Sequence, residues 1–295
     1  MGDSSLTSQQ QQQQPPQWDE SIVLEYEKRV EPFTSLFVKD LLDPIFKEEK
    51  DKKKEASPSL LDVGCGAGCG TLMALEAGFQ VIATDVSQAM VDRTRERAKG
   101  RDYENIYCLV ADGQKLSSNS DLVSKQKSGF DYAIAAFSLI FFPDPAKGLI
   151  EIYKLLSDGG KVLLTAWGTP EETPGFQIFP DAFRAVLPER EEESKPDRIA
   201  GSPEALQNLL GGANFRNVDI VGPISHSIHV PSAEAYYDRF ALTSPNTRRV
   251  LEKLDESKRA EVKAKVMELA KERGGQQDGS ISIPSMAYFA YGTKQ

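Results

Sequence analysis

The chain has 295 residues, 40% hydrophobic and 27% charged, which is enough apolar material for a real core and enough length for about two average domains or one large α/β domain. Lys and Arg total 35 against 44 Asp and Glu, and a formal net charge of −9 argues against a surface built to grip nucleic acid. Three cysteines rule out a disulfide scaffold and favour a reducing, cytoplasmic setting, and no apolar run approaches the roughly 20 residues that stable membrane insertion requires.

Residues 1–17 hold a glutamine tract, Gln9 to Gln14, closed by Pro15 and Pro16. Such a stretch cannot bury enough apolar surface to offset its ordering entropy, so a disordered tail is expected. The start carries neither a signal-peptide nor a transit-peptide pattern, and Leu6 stands where myristoylation wants Ser or Thr. From Trp18 onward Ile22, Val23, Tyr26 and Val30 recur at helical spacing, then Phe33, Leu36, Phe37 and Leu41 do the same. Two short amphipathic helices parted near Pro32 are expected, and the mixed-charge run Lys47 to Glu55 reads as a solvated helix end or linker.

From Ser59 the pattern alternates. Strands are expected at Leu60 to Val63, Gln80 to Thr84, Ile106 to Val110, Phe130 to Ala136 and Lys161 to Ala166. Helices are expected between them at Thr71 to Ala77, Ser87 to Lys99 and Pro145 to Leu156, the last opened by Asp144 as N-cap. Apolar strands alternating with helices of this length imply a mostly parallel, doubly wound α/β sheet. After Trp167 the alternation lapses. Gly168 to Ser202 looks irregular with one short helix at Asp181 to Val186; Pro203 to Leu210 and Ala233 to Arg273 read as helical; Asn217 to Val230 and Ser285 to Thr293 read as strands that pair antiparallel at the sheet edge.

The informative segment is Asp62-Val63-Gly64-Cys65-Gly66-Ala67-Gly68-Cys69-Gly70, which follows a strand and precedes a helix. Glycines there let the backbone turn tightly and let a ligand come close, with loop N–H groups facing it. A dinucleotide loop wants Gly-x-Gly-x-x-Gly, but its third glycine would fall at Cys69. Asp85 ends the next strand 21 residues after Gly64, where a carboxylate can accept both hydroxyls of a ribose. Ala111-Asp112-Gly113 follows the third strand, Phe137 to Asp144 follows the fourth, and Leu155 to Lys161 leads into the fifth.

In this order and spacing, residues 20 to 168 resemble class I S-adenosylmethionine-dependent methyltransferases, in particular the small-molecule enzymes of the ubiquinone and menaquinone type. The resemblance implies a Rossmann-like methyltransferase fold with an antiparallel edge strand and helical lid insertions, and S-adenosylmethionine as cofactor. It implies cofactor contacts from Asp62, Gly64, Cys65, Gly66, Gly68, Asp85, Val86, Met90, Asp112, Gly113 and Phe137. Asp85 would take the ribose, Asp112 the adenine amino group, and Met90 the adenine face, although Met90 also reads as plain core. It divides the chain into cap helices (18–56), a cofactor-binding core (57–168) and a substrate lid with closing strands (169–295).

The segment after the fourth strand lacks the Asn/Asp-Pro-Pro-Tyr pattern of adenine amino-methyltransferases, and no paired-glutamate loop of the protein-arginine enzymes is visible. Phe137, Leu139, Phe141 and Phe142 instead suggest an apolar pocket for a small organic molecule. Phe141, Tyr236 and Tyr237 are candidate pocket residues, with helix packing the commoner role for the two tyrosines. His226, His229 and Tyr26 are the candidates for a general base; the histidines sit three apart on a strand and so face opposite sides. Cys65 and Cys69 without further Cys or His nearby make a poor metal site. Two rival functions remain at this point, a catalytically silent methyltransferase-like subunit and a nicotinamide-dependent oxidoreductase. The substrate, the methylated atom and the oligomeric state are not legible.

Overall fold

The computed structural model describes residues 18–52, 56–190 and 202–295. Its centre is a seven-stranded sheet in the order β3-β2-β1-β4-β5-β7-β6. Strands β1 (Ser59–Val63), β2 (Gln80–Asp85), β3 (Ile106–Val110), β4 (Phe130–Ala136) and β5 (Leu156–Trp167) run parallel. β1 is buried along its whole length, as expected of an apolar run covered on both faces. β7 (Ile281–Thr293) is antiparallel to both β5 and β6 (Arg216–Val230), so the closing strand lies between them and β6 takes the edge.

The chain winds outward from β1 in two directions, through β2 and β3 on one side and through β4 and β5 on the other. The reversal leaves a crevice beyond the carboxyl ends of β1 and β4, the place where open α/β sheets bind ligands.

Helices cover both faces. One face carries α2 (Glu31–Asp51), α3 (Cys69–Glu76), α7 (Pro174–Val186), α9 (Ala233–Thr243) and α11 (Glu256–Gly274), packed around Phe37, Leu41, Phe179 and Val266. The other carries α5 (Ser120–Lys125), α6 (Pro145–Leu155) and α8 (Pro203–Gly212), packed around Leu149, Ile152 and Leu206. Helix α1 (Glu20–Arg29) lies beside α9 and α4 (Gln88–Lys99), and the short α10 (Pro245–Glu252) follows α9. Among the described residues no helix is long and apolar enough to cross a membrane.

The doubly wound sheet and its antiparallel edge agree with the sequence pattern, and Asp144 caps α6 by accepting from the Lys147 N–H. Several stretches differ, among them the start of β5, which takes in Leu156 to Gly160, expected as a helix end and glycine stop. The second N-terminal helix is not short: α2 runs 21 residues, with Pro32 in its first turn, where the missing N–H costs nothing, and Pro44 inside it. Burial of Leu41, Leu42 and Ile45 carries the helix past that proline. The stretch after Trp167 is less irregular than expected, because α7 begins at Pro174 rather than Asp181 and buries Ile178, Phe179 and Phe183. β7 begins at Ile281, four residues before Ser285. The expected glutamine-rich tail and residues 191–201 of the expected excursion lie outside the described residues. Residues 47–51 of the charge run end α2, with Lys52 bridging Glu48 at 2.6 Å and Glu49 at 2.7 Å and Lys161 also reaching Glu48, and 53–55 lie outside the described residues.

Candidate functional site

The glycine loop leaves β1 at the reversal of the sheet and enters α3. Gly64 and Gly68 have φ of +74° and +94°, and both are crowded: a Cβ on Gly64 would stand 2.4 Å from Ser138 Cβ, and one on Gly68 2.9 Å from Thr94 Oγ1. Gly66 is different. Its φ is +56°, yet a Cβ there would meet nothing within 4 Å. The loop is therefore pinned at its two shoulders and bowed toward open space at its middle.

Side chains brace that bow. Asp85 Oδ2 accepts the Gly66 N–H at 3.0 Å and Oδ1 accepts the Ser87 N–H at 2.9 Å. Thr94 Oγ1 donates to the Gly66 carbonyl at 2.9 Å. Burial pushes the Asp85 carboxyl up from its ordinary value, against the pull of its backbone donors. Asp62 is 2% exposed and accepts the Thr71 hydroxyl at 2.7 Å. Burial, helped by the negative charge of Asp85, pushes it to about 7. Burial also raises the thiols of Cys65, Cys69 and Cys108, the last two to about 12 and about 11, so none is an activated nucleophile.

A cavity of about 40 Å³ lies against this loop, bordered by Asp62, Gly64, Gly66, Phe137, Tyr26 and Thr34. Its roof is the N-terminal cap. Arg97 of α4 holds Glu31 with two hydrogen bonds of 2.7 Å each and donates to the Ala67 carbonyl at 2.7 Å, tying the cap to the glycine loop. Arg93 grips Glu27 of α1 at 2.6 and 3.1 Å, and Ser87 Oγ donates to the Trp18 carbonyl at 2.7 Å.

Beyond β4, Phe137 adopts φ +54°, unusual for a residue with a Cβ, and its N–H donates to Thr165 Oγ1 at 2.6 Å. That conformation turns its ring against Trp167, stacked at 3.9 Å and 13°. Phe33 stacks on Trp167 at 5.7 Å, and Phe37 meets both Phe137 and Trp167 edge-on. An aromatic wall thus continues from the glycine-loop cavity into the helices of the cap and the C-terminal segment.

The residues singled out in the sequence fall into three groups. Asp62, Gly64, Cys65, Gly66, Phe137 and Tyr26 border the cavity, and Asp85 braces its floor. Gly68 secures the helix entry as the N-cap of α3. Asp112, Gly113 and Val86 sit at the neighbouring strand ends. Asp112 accepts the Gln114 N–H at 2.9 Å, Val86 is exposed, and Gly113 is needed because a Cβ would strike the Phe142 ring at 2.1 Å. Met90 is 3% exposed and packs with Val23 and Ala67 beneath the cap, closer to its reading as core.

The remaining candidates lie elsewhere. Phe141 is 45% exposed and meets the Trp18 ring edge-on at 5.5 Å. Tyr236 is fully buried with its hydroxyl donated to the Gly175 carbonyl, and Tyr237 stacks on Phe179, so both pack the C-terminal helices rather than line an open pocket. His226 pairs with Asp40 at 2.8 Å and stands edge-on to Phe37, and His229 is exposed on the other face of the edge strand. Burial pushes the Tyr26 phenol to about 12, so it keeps its proton at neutral pH and is a poor base. Glu31, Thr34, Thr94, Ser138 and Trp167 also shape the site, and no spacing rule points to them because they come from elements far apart in the chain.

A family model described as a methyltransferase domain matches residues 61–162, from β1 through the glycine loop, Asp85 and Asp112 to β5. Residues 61–162 of the chain carry a methyltransferase domain. The resemblance read from the loop is thereby borne out. The chain is 28% identical over 166 residues to the aklanonic acid methyltransferase of Streptomyces sp. (strain C5), covering 55% of this chain and 70% of that one. It is 27% identical over 163 residues to the demethylmenaquinone methyltransferase of Bacteroides fragilis, covering 54% and 64%, and 31% identical over 134 residues to that of Listeria welshimeri, covering 44% and 53%. The chain thus spans about half to two thirds of the length of these demethylmenaquinone enzymes. The YcgJ protein of Bacillus subtilis shares its fold with a TM-score of 0.52 at 18% identity, over 87% of this chain and 98% of that one. Phosphoethanolamine N-methyltransferase 2 of Haemonchus contortus, solved with S-adenosylhomocysteine, does so with a TM-score of 0.51 at 17% identity, over 94% and 58%.

Proposed function

We propose that this protein transfers a methyl group from S-adenosylmethionine to a small, apolar or aromatic organic molecule. The observation that carries the reading is the bowed loop at the reversal of the sheet, with free space over Gly66, the buried Asp62 beside it and the partly buried Asp85 bracing it.

The residues present fit the cofactor. Space over Gly66 lets a ligand approach the backbone directly. Asp85 uses one lone pair of each oxygen on a backbone N–H and keeps another on each, which suits a ribose diol. Asp62 and the loop backbone would hold the amino-acid end, and Asp112 the adenine amino group. The cavity of about 40 Å³ is far below the roughly 300 Å³ of the smallest common ligand sites, so the cap of α1 and α2 must open to admit a cofactor and close behind it.

When bound, the cofactor supplies an activated methyl group on a sulfonium. The protein's part is to align the acceptor in line with that group and to keep water out. Phe37, Phe137 and Trp167 provide the apolar wall for this, and the arginine ties of the cap hold the roof shut. Tyr26 holds its proton, and neither histidine borders the cavity, so alignment rather than proton abstraction is the chain's contribution. Residues 169–295 form the substrate cover in this reading, and 57–168 the cofactor core. We place the enzyme in the cytoplasm, in keeping with three unpaired cysteines, and assign it no nucleic-acid partner, in keeping with its charge.

Calorimetric titration with S-adenosylhomocysteine tests the reading. Micromolar binding that Asp85→Ala strongly weakens is expected. Binding unchanged in that variant would remove the ribose assignment, and stabilisation by NAD in place of S-adenosylhomocysteine would overturn the function.

A further inference from the structure

The mechanism above leaves a buried cation of α9 without a task. Arg239 of α9 is 4% exposed. Among the described residues its guanidinium makes one hydrogen bond, from Nη1 to the Arg29 carbonyl at the end of α1, and no carboxylate pairs with it. Burial pushes its pKa down to about 10, and the titratable groups facing it, the phenols of Tyr236 and Tyr26, are themselves raised by burial and stay neutral. A buried cation without a counter-charge is costly, and an anion brought to it would offset that cost.

Its surroundings say what kind. The guanidinium lies 5.3 Å from the centre of the Phe33 ring and 5.9 Å from that of Phe240. Phe33 stacks on Trp167, Trp167 meets Phe176 at 4.8 Å, and Phe176 meets Phe240 at 6.1 Å. Arg239 therefore closes a circuit of four aromatic rings. Trp167, Phe176 and Phe240 are only half-buried, so the circuit keeps accessible ring surface. Trp167 also stacks on Phe137, which borders the glycine-loop cavity, so the circuit adjoins the place where methyl transfer would occur. With Nη1 committed to Arg29, the Nε and Nη2 edge of the fork is left, and that edge matches two carboxylate oxygens.

We propose that Arg239 recognises a carboxylate on a small aromatic substrate, whose ring packs among Phe33, Trp167, Phe176 and Phe240. The proposal rests on the methyl-transfer reading and names its substrate class. Arg239 acts here as a binding residue and takes no part in moving the methyl group.

The test uses the full-length protein and two uncharged-versus-charged probe pairs, 2-naphthoate with 2-naphthamide and benzoate with benzamide, titrated with and without saturating S-adenosylhomocysteine. The acids are expected to bind about tenfold or more tighter than their amides. Arg239→Met should bring the acids down to the level of the amides, and Arg239→Lys should keep part of the preference. Equal binding of acid and amide by the wild-type protein, binding of neither, or an acid preference that survives in Arg239→Met would overturn the proposal. The wild-type comparison decides the matter even if Arg239→Met, having lost its tie to α1, does not fold. An acid preference without any S-adenosylhomocysteine binding would instead strike the reading on which the proposal rests.

Discussion

Two glycines two residues apart in one loop should respond to the same substitution in opposite ways. At Gly64 an alanine would have to adopt φ near +74° and bring its Cβ within 2.4 Å of Ser138 Cβ. The left-handed conformation costs an L residue about 1–2 kcal/mol, and overpacking against a fixed neighbour adds about 1–3 kcal/mol. Gly64→Ala should therefore lose about 2–5 kcal/mol, a large part of a typical domain's stability of about 5–15 kcal/mol. At Gly66 the φ of +56° carries the same conformational cost, but a Cβ meets nothing within 4 Å. Gly66→Ala should lose only about 1–2 kcal/mol and stay folded. Its methyl would instead occupy the space through which a ligand reaches the loop, and S-adenosylhomocysteine affinity should fall at least about tenfold, or 1.4 kcal/mol. Urea denaturation and calorimetry on both variants separate the two effects. Adding Ser138→Gly to Gly64→Ala should recover the collision part of the loss, less the cost of the 2.6 Å hydrogen bond from Ser138 Oγ to the Val63 carbonyl. A folded Gly66→Ala that binds S-adenosylhomocysteine as well as the wild type, or a Gly64→Ala as stable as Gly66→Ala, would refute the distinction between shoulder and cleft.

Further predictions follow from the groups around the loop. Asp62, raised by burial to about 7, keeps its proton in the folded state over a range where the unfolded chain, near 3.9, has released it. The native state then binds more protons than the unfolded state between about pH 4 and pH 7, so stability falls as pH rises through that window, by up to about 1.4 kcal/mol per unit from this group. Asp62→Asn should flatten that slope in denaturation measured at pH 5 and pH 8 while weakening cofactor binding; parallel pH profiles would contradict the assignment. Arg97→Met removes both hydrogen bonds to Glu31 and the one to the Ala67 carbonyl, in a pair whose side chains are only 13% and 12% exposed. It should cost about 2–3 kcal/mol and speed S-adenosylhomocysteine release in stopped-flow experiments, and an unchanged off-rate would mean that the cap is not latched there. Tyr26→Phe should leave the pH profile of methyl transfer unchanged, since the phenol titrates near 12; loss of the alkaline or acidic limb would restore it as a base.

The parts of the site legible in the sequence are those built from local order. Strand, glycine turn and helix follow one another within residues 59 to 76, and Asp85 and Asp112 sit at the ends of the next two strands, so their convergence follows from parallel pairing alone. The cap was legible only as amphipathic spacing. Its contact with the loop depends on Glu27 and Glu31 meeting Arg93 and Arg97, 66 residues away, and nothing in the spacing links those pairs. Pro44 and Pro180 both lie inside helices whose buried faces outweigh the lost hydrogen bond. Arg239 reads as an ordinary surface residue on a charged helix until the fold buries it among aromatic rings from three other segments. Tyr236, whose commoner reading is helix packing, follows it: its hydroxyl closes on the Gly175 carbonyl and its ring fills the core.

The most direct test of the central claim is a methyl-transfer assay with S-adenosylmethionine carrying a deuterated methyl group, incubated with the protein and a fraction of small aromatic metabolites. The account predicts S-adenosylhomocysteine release matched by a product heavier by one labelled methyl, both lost in Asp85→Ala. Tight binding of S-adenosylmethionine with no labelled product from any fraction would contradict it and favour a catalytically silent methyltransferase fold.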